Sequence, residues 1–177
     1  TSPTEEIVNA PITGSTSFSN MLSGSKSGNL LVVNGQEKVV FAAGVSSATI
    51  FTRTAANTYT TVTTGVATSR SISSFLINPT TIGVTNGITV EHYSAAGLMT
   101  NSGVLTGPVN STVSQVEFVN NQYHVYYKYN NMNKGVFFRM DQAFQLLDSV
   151  KTNVLIYHTL KTSNGMLLVG SDLEKGL

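Results

Sequence analysis

The sequence contains neither cysteine nor tryptophan. Without cysteine, disulfide bonds and thiolate chemistry are excluded, and cysteine usage does not identify a cellular compartment. Charge is also scarce: 11% of the 177 residues are charged, and 10 basic and 9 acidic side chains leave a formal net charge of +1. Because there is no basic cluster either, the sequence argues against an electrostatic grip on nucleic acid or on an anionic membrane.

Long apolar runs are missing as well. The longest are LLVV at 30–33 and VVFAA at 39–43, far below the ~20 residues of a spanning helix, so we expect no direct membrane insertion by this domain. The composition of residues 1–29, rich in Pro, Ser, Gly and Thr, predicts an N-terminal arm or loop region. This region can include a short strand around Ile7 to Ile12. Residues 30–177 predict a single β-rich domain.

Signals for β-hairpins are abundant. Asn-Gly pairs at 34–35, 86–87 and 164–165 each lie between runs rich in β-branched or aromatic residues. Asn-Gly suits a two-residue type I′ turn because both residues tolerate positive φ. Alternation of Thr and Ser with Val, Ile, Phe and Tyr predicts further strands at 48–53, 58–63, 71–77 and 134–138. The predicted fold class is therefore mainly β, with antiparallel, hairpin-rich sheets.

One segment, MDQAFQLLDSVK, lacks this alternation. Asp141 stands at a helix N-cap position, and good helix formers follow it. Ala143, Leu147 and Val150 share one helical face, with Phe144 alongside. The pattern predicts one short α-helix at about 141–151 packed on a sheet, which would place the fold at the border of the α+β class.

A weak self-similarity with a period of about 40 residues aligns three blocks, GNLLVVNGQEKVVFAA, SISSFLINPTTIGVTNGITV and VSQVEFVNNQYHVYY. Such a period is typical of propeller blades or of a β-trefoil. No signature residue recurs at a fixed place in the blocks, and the predicted helix interrupts the period. The sequence therefore favours a domain without repeats.

Residues that usually carry catalysis do not converge. His92, His124 and His158 fall on separate predicted strands, and the adjacent Glu91 and His92 would point to opposite faces of a strand. There is no G-x-S-x-G, no H-E-x-x-H and no Gly-rich phosphate loop followed by Lys. We therefore expect no enzymatic activity, no metal and no cofactor.

The segment VEFVNNQYHVYYKY at 116–129 predicts a hairpin turning at Asn120-Asn121. Val119 would then pair with Gln122, and the pairing would continue in register to Gln115 with Tyr126. One face is predicted to pack against the core, and it carries Val116, Phe118, Tyr123, Val125, Tyr127 and Tyr129. The other face is predicted to be wet, that is, exposed to solvent, and it carries Gln115, Glu117, His124, Tyr126 and Lys128.

An aromatic side chain surrounded by amide and carboxylate side chains can bind a sugar, because a sugar offers hydroxyl groups and an apolar C–H face. The adjacent loop YNNMNKG adds asparagines. The alternative is that the tyrosines only pack and that the asparagines only shape turns. The predicted glycan-binding residues are Gln115, Glu117, His124, Tyr126, Lys128, Asn130, Asn131 and Arg139.

The order GNLLVVNGQEKVVFAA, NNQYHVYYKYNN and TNVLIYHTL, closing on DLEKGL, resembles the head domain of the rotavirus spike protein, the distal fragment released when the spike is cleaved. Size and the Thr-, Asn- and Tyr-rich, low-charge composition are similar. FVNNQYHVYYKYNN resembles a hairpin of that family, and Lys175-Gly176-Leu177 resembles its ending. The better-known members carry tryptophans and cysteines, which this chain lacks, and no motif aligns well enough to transfer their sugar-binding residues.

The resemblance implies a non-enzymatic viral attachment domain at the virion surface, at the tip of an outer capsid spike. Its partners would be host cell-surface glycans, here neutral oligosaccharides, and the remainder of the spike protein. A galectin-like β-sandwich is the alternative fold that the resemblance implies. Two other classes stay open: a phage tail-fibre or bacterial adhesin domain, and a propeller-like protein-binding module. An isolated spike head should be monomeric, whereas a trimeric fibre should not fold as a monomer.

Overall fold

The computed structural model describes residues 28–41, 46–55, 58–68, 72–130, 132, 134–162 and 165–171. Fourteen β-strands account for most of these residues, and none of them is helical. The predicted mainly antiparallel β fold is therefore confirmed. Of the predicted arm at 1–29, residues 28 and 29 begin the first strand, and the remainder, with the strand near Ile7 to Ile12, lies outside the described residues.

The strands form four antiparallel sheets, in each of which neighbours follow one another along the chain. Sheet 1 contains β1 (Gly28–Val33), β2 (Gln36–Phe41), β3 (Ser47–Ala55) and β4 (Thr58–Ala67). Sheet 2 contains β5 (Ser73–Asn78), β6 (Thr81–Thr85), β7 (Thr89–Ser94) and β8 (Met99–Val104). Sheet 3 contains β9 (Ser111–Val119), β10 (Gln122–Tyr129), β11 (Gly135–Met140) and β12 (Leu146–Thr152). Sheet 4 contains β13 (Leu155–Thr162) and β14 (Gly165–Ser171).

The sheets stack in series through their first strands. β1 contacts β5, β5 contacts β9, and β9 contacts β13. Consecutive four-stranded meanders joined in this way have the strand order of successive β-propeller blades, and not that of a two-sheet galectin-like sandwich. The three aligned sequence blocks coincide with the first strands of sheets 1, 2 and 3, so the period of about 40 residues is present in the strand order, contrary to the expectation of a domain without repeats.

The predicted helix at 141–151 is wrong. Asp141 does cap the backbone, accepting hydrogen bonds at Oδ1 from Ala143 N at 2.8 Å and from Gln145 N at 2.9 Å. The chain then turns, with Phe144 at a φ of 63°, and runs as β12. Phe144 stacks on Tyr123 with 4.7 Å between ring centroids. Pairing with β11 outweighs the local helix propensity of this segment.

Asparagine shapes the hairpin turns, in two different ways. Asn34-Gly35 and Asn120-Asn121 are two-residue turns in which every φ is positive, from 50° to 72°, as predicted for type I′. At 86–87 the two-residue prediction is wrong, because three residues join β6 to β7. There Asn86 Oδ1 accepts hydrogen bonds from the N–H groups of Ile88 and Thr89 at 3.0 and 2.9 Å. Asn164 lies outside the described residues.

Two hydrophobic clusters fill the spaces between consecutive sheets. The cluster between sheets 1 and 2 consists of Val33, Val40, Ala48, Ile50, Val66, Ile72, Ile82, Val84 and Tyr93. The cluster between sheets 2 and 3 consists of Phe75, Val90, Leu105, Val116, Phe118, Tyr123, Val125, Tyr127, Val136 and Met140. It includes the stripe predicted to face the core on the 116–129 hairpin, with Tyr129 packed beside it.

Buried polar groups also join sheets 1 and 2. The ammonium of Lys38 on β2 donates to Ala95 O, beyond β7, at 2.8 Å, and burial lowers the pKa of Lys38. Glu91 on β7 accepts hydrogen bonds from Gly65 N of β4 at 2.8 Å and from the Tyr93 hydroxyl at 2.6 Å. Burial, followed by the hydrogen bond to Glu91, raises the pKa of Tyr93 to about 12.

Sheets 2 and 3 share a hydrogen bond between His92 Nε2 and the Tyr123 hydroxyl, both buried. Glu91 and His92 thus point to opposite neighbours, as predicted for successive strand residues. Burial lowers the pKa of His92 and raises that of Tyr123. Tyr127, on the same strand as Tyr123, is equally buried, but its hydroxyl has no hydrogen-bond partner among the described residues.

Two tyrosine substitutions on β10 should therefore differ in effect. Tyr123→Phe leaves the buried His92 ring nitrogen without its partner and should lower the free energy of unfolding by about 1–3 kcal/mol. Tyr127→Phe removes a hydroxyl that makes no hydrogen bond in the described region, and should be neutral or stabilising. Urea denaturation of both variants measures the difference. Equal losses in the two variants would contradict this account of the pair.

The buried His92 should also make stability depend on pH. Its pKa in the folded protein lies below the ordinary 6.5, so the unfolded chain binds more protons between these values. The contribution of His92 to the free energy of unfolding is therefore complete above pH 6.5 and declines as pH falls through the folded pKa. His92→Gln should flatten this acid dependence in denaturation series, whereas the matched change at the exposed His158 should preserve it. Identical pH profiles for the two variants would refute the assignment.

Candidate functional site

The face of sheet 3 predicted to bind glycans is organised in cross-strand rows. Glu117, His124 and Arg139 are partners in one row. Gln115, Tyr126 and Phe137 are partners in the next. All five residue pairs predicted for the hairpin, from Val119 with Gln122 to Gln115 with Tyr126, are confirmed. The residues therefore share a face, as their alternation indicated.

Tyr126 on this face is not exposed, contrary to the prediction. Its exposed fraction is 0%. The hydroxyl donates a hydrogen bond to Val154 O at 3.1 Å and accepts one from Ile156 N at 3.4 Å. Burial raises the pKa of Tyr126. The start of β13 covers the ring, so Tyr126 connects sheet 3 to sheet 4 instead of offering a surface to a sugar.

Two other residues of the predicted site are engaged in the same way. Gln115 Nε2 donates a hydrogen bond to Tyr157 O at 3.1 Å. Glu117 Oε1 accepts one from Thr159 Oγ1 at 3.2 Å. Both partners belong to β13, so the inner half of the predicted wet face is an interface between sheets.

The outer half of the face remains open as a groove of about 380 Å³, here named the edge groove, lined by His124, Phe137, Phe138, Arg139, Asp148, Val150 and Leu168. Arg139 donates to Asp148 through Nε at 3.1 Å and through a terminal nitrogen at 2.5 Å, so its guanidinium charge is already paired. Burial, and next the positive charge of Arg139, lower the pKa of His124. The edge groove is thus mostly apolar, and the ion pair between Arg139 and Asp148 at its wall carries no net charge.

A larger cleft of about 820 Å³ opens at one end of sheet 3. We name it the loop cleft, and it is lined by Val109, Asn110, Tyr129, Asn130, Met132, Lys134, Gly135, Lys151, Thr152 and Asn153. Ser111 pairs with Tyr129, and Gly135 pairs with both Lys128 and Thr152. The start of β9, the β10–β11 connection and the end of β12 therefore meet at the same end of the sheet.

Backbone hydrogen bonds fix the loops around the cleft. Asn130 N donates to Asn110 O at 2.8 Å, and Tyr129 N donates to Lys134 O at 3.1 Å. Asn110 has a φ of 59°, a left-handed conformation that asparagine tolerates better than most residues. The Asn110 and Asn130 side chains are exposed, while the Tyr129 ring is partly buried. The walls are therefore held by main-chain contacts, and the amides are free to meet a ligand.

The described lining combines planar amides, one aromatic ring, a threonine hydroxyl and two lysine ammonium groups. It contains no Asp, Glu or His. Throughout the described part of the chain, no three His, Asp or Glu side chains form a group that could hold a metal ion. This inventory can donate and accept many hydrogen bonds, but it supplies no paired carboxylates for acid–base chemistry.

Of the predicted site residues that the structure describes, only Asn130 lines the loop cleft. Lys128 lies on the adjoining end of β10 and is exposed, and Asn131 lies outside the described residues. Sequence reasoning missed Asn110, Asn153 and Lys151, which come from segments distant in sequence. A strand at 146–152 in place of the predicted helix would have brought Lys151 opposite Val136, at the end of β11 that borders the cleft.

No family model matches the chain, and neither a curated protein nor a solved structure matches it. The stretches that the structure describes include no helix of the length and hydropathy needed to cross a membrane.

The buried position of Tyr126 gives a direct test of its structural role. Tyr126→Phe removes both hydroxyl contacts to the start of sheet 4 and should lower the free energy of unfolding by about 1 kcal/mol or more. Tyr129→Phe, at the wall of the loop cleft, should change it by less than about 0.5 kcal/mol. Parallel chemical denaturation of the two variants is the measurement. A larger loss for Tyr129→Phe would mean that the roles of the two rings are misassigned.

Proposed function

We propose that this protein is a non-enzymatic glycan-binding domain and that the loop cleft is its binding site. The observation that carries the proposal is the convergence of Asn110, Asn130 and Asn153 around a cleft of about 820 Å³ that also contains the Tyr129 ring. Each amide offers two donors and an acceptor with two lone pairs, which suits vicinal sugar hydroxyls. The ring offers an apolar surface to the C–H face of a pyranose.

The absence of carboxylates from the described lining favours binding over hydrolysis. Glycoside hydrolysis usually requires two carboxyl groups flanking the scissile bond. Lys134 and Lys151 can donate hydrogen bonds to sugar oxygens but do not supply such a pair. Recognition without turnover is therefore the function that this set of groups supports best.

We propose neutral oligosaccharides of the host cell surface as the ligands, because the chain carries few charges and a net charge of +1. The two lysines of the cleft make acidic oligosaccharides the alternative ligands. Affinity per site should be weak, because sugar hydroxyls exchange water hydrogen bonds for similar ones with the protein. A dissociation constant near 1 mM corresponds to about 4 kcal/mol. Display of many copies on one particle would raise the avidity. The resemblance to the rotavirus spike head supplies the proposed setting, which is virion attachment at the tip of an outer capsid spike.

A protein-binding, propeller-like module is the second candidate. The observation in its favour is the serial arrangement of four-stranded sheets, since propellers use their loop ends to bind many kinds of partner. If a protein partner bound in the loop cleft, saturating glycan would compete with it. If the partner bound at another surface, glycan would not displace it, so a competition experiment distinguishes the two cases.

The proposal predicts glycan binding that depends on the cleft amides. A glycan array containing neutral and acidic oligosaccharides would select a ligand, and NMR titration of labelled protein would measure its affinity. Asn130→Ala and Asn153→Ala should each weaken binding about tenfold, the loss expected for about 1.4 kcal/mol of hydrogen bonding.

Arg139→Ala is the matched control, because Arg139 lines the edge groove and not the loop cleft. It should leave the affinity unchanged. An array with no bound glycan would reject the function. Binding that survives both asparagine substitutions but is lost in Arg139→Ala would place the site in the edge groove instead.

A further inference from the structure

Sheet 4 has an open edge. β14 pairs with β13 on one side, and among the described residues no strand pairs with its other side. In the part of the chain that the structure describes, sheets 1, 2 and 3 each contain four strands, whereas sheet 4 contains two. An open edge presents a row of backbone N–H and C=O groups that can pair with a further strand.

Side chains in the middle of β14 are exposed on both of its faces. Leu167, Leu168 and Val169 are 54%, 42% and 46% exposed, and consecutive strand residues point to opposite faces. Exposed apolar residues on both faces are typical of a strand that becomes internal to a larger sheet. One of them, Leu168, also forms a wall of the edge groove, opposite Phe137 and Val150 of sheet 3.

The charge pattern indicates which strand can pair there. β14, GMLLVGS, contains no charged residue and no proline, the features that usually protect an edge. β12, which forms an edge of sheet 3, carries Asp148 and Lys151. Like charges placed directly opposite each other destabilise a strand pair. Two copies of β14 can therefore pair without charge repulsion. Because two copies would also give a four-stranded sheet like sheets 1, 2 and 3, a second copy of this chain is the occupant that fits both observations.

We propose that the chain forms a twofold symmetric dimer in which β14 pairs antiparallel with β14 of a second copy. A twofold axis at Leu168, the central residue of Gly165–Ser171, places Leu168 opposite Leu168 of the partner subunit. Leu167 then lies opposite Val169 of the partner subunit. The resulting sheet, two strands from each copy, has four strands like sheets 1, 2 and 3. The edge groove beside Leu168 receives apolar side chains of the added strand.

The absence of cysteine makes the register directly testable. Directly opposite residues of antiparallel strands have Cα atoms about 4.5–5.5 Å apart, within the range that a disulfide spans. Leu168→Cys should therefore form an intermolecular disulfide rapidly under mild oxidation of the full 177-residue chain. Leu98→Cys, at a position 69% exposed between β7 and β8, is the matched control and should crosslink only at the rate of random collisions.

Sedimentation velocity of the unmodified chain supplies the second measurement. The expected result is a concentration-dependent dimer that Leu168→Lys converts to a monomer while the β-type circular dichroism spectrum is kept. A wild-type chain that stays monomeric, open-ended assembly beyond a dimer, or equal crosslinking of the two cysteine variants would each overturn the proposal. These readouts do not involve glycans, so their outcome does not decide the function of the loop cleft. A dimer would argue against the spike-tip setting, for which an isolated monomer is expected, whereas a monomer would overturn the dimer proposal alone.

Discussion

Face-to-face packing of consecutive sheets is the constraint on which the other features of this protein depend. A four-stranded meander with apolar residues on both faces cannot bury them alone, so each sheet needs a neighbour on either side. Sheet 2 meets this condition on both faces, through the two hydrophobic clusters that separate it from sheets 1 and 3. Strand β7 illustrates the result, because Tyr93 points into one cluster and Val90 into the other.

The same constraint explains why so many polar side chains are buried. In a chain with 11% charged residues, several of the charged or titratable groups lie between sheets instead of on the surface. Lys38, Glu91 and His92 each reach a partner across a sheet boundary. A buried polar group without a partner is costly, so these contacts restrict how neighbouring sheets can be placed. Burial lowers the pKa of Lys38 and that of His92.

Loops at the strand ends are free of this packing constraint, and the loop cleft lies there. Its walls come from three connections that the meander order brings to one end of sheet 3. The main-chain hydrogen bond from Asn130 N to Asn110 O holds the walls together, and the amide side chains of both residues are exposed. A rigid sheet carrying variable polar loops is the usual division between scaffold and recognition surface. The exposed apolar edge of sheet 4 is a different surface, governed by backbone pairing.

The sequence by itself determined the local elements. Period-two alternation and asparagine turns were sufficient for the antiparallel class, and for the register of the 116–129 hairpin from Val119 with Gln122 to Gln115 with Tyr126, because a two-residue turn sets the pairs next to it. Beyond Tyr126 the register shifts at a bulge, which the alternation did not predict. The identity of the two hairpin faces was readable from alternation. Only the tertiary structure decided what covers each face and which loops meet.

Tyr126 was predicted to be exposed to solvent. The alternation of side chains distinguishes the two faces of the hairpin, but it does not indicate that β13 covers one of them. The segment after Asp141 has good helix propensity, yet it forms β12 because it pairs with the edge of β11 along most of its length. The loop cleft was missed for the same reason, since Lys151 and Asn153 reach it only once that strand is in place. Local pattern sets what a segment can form, and long-range pairing and burial select among those possibilities.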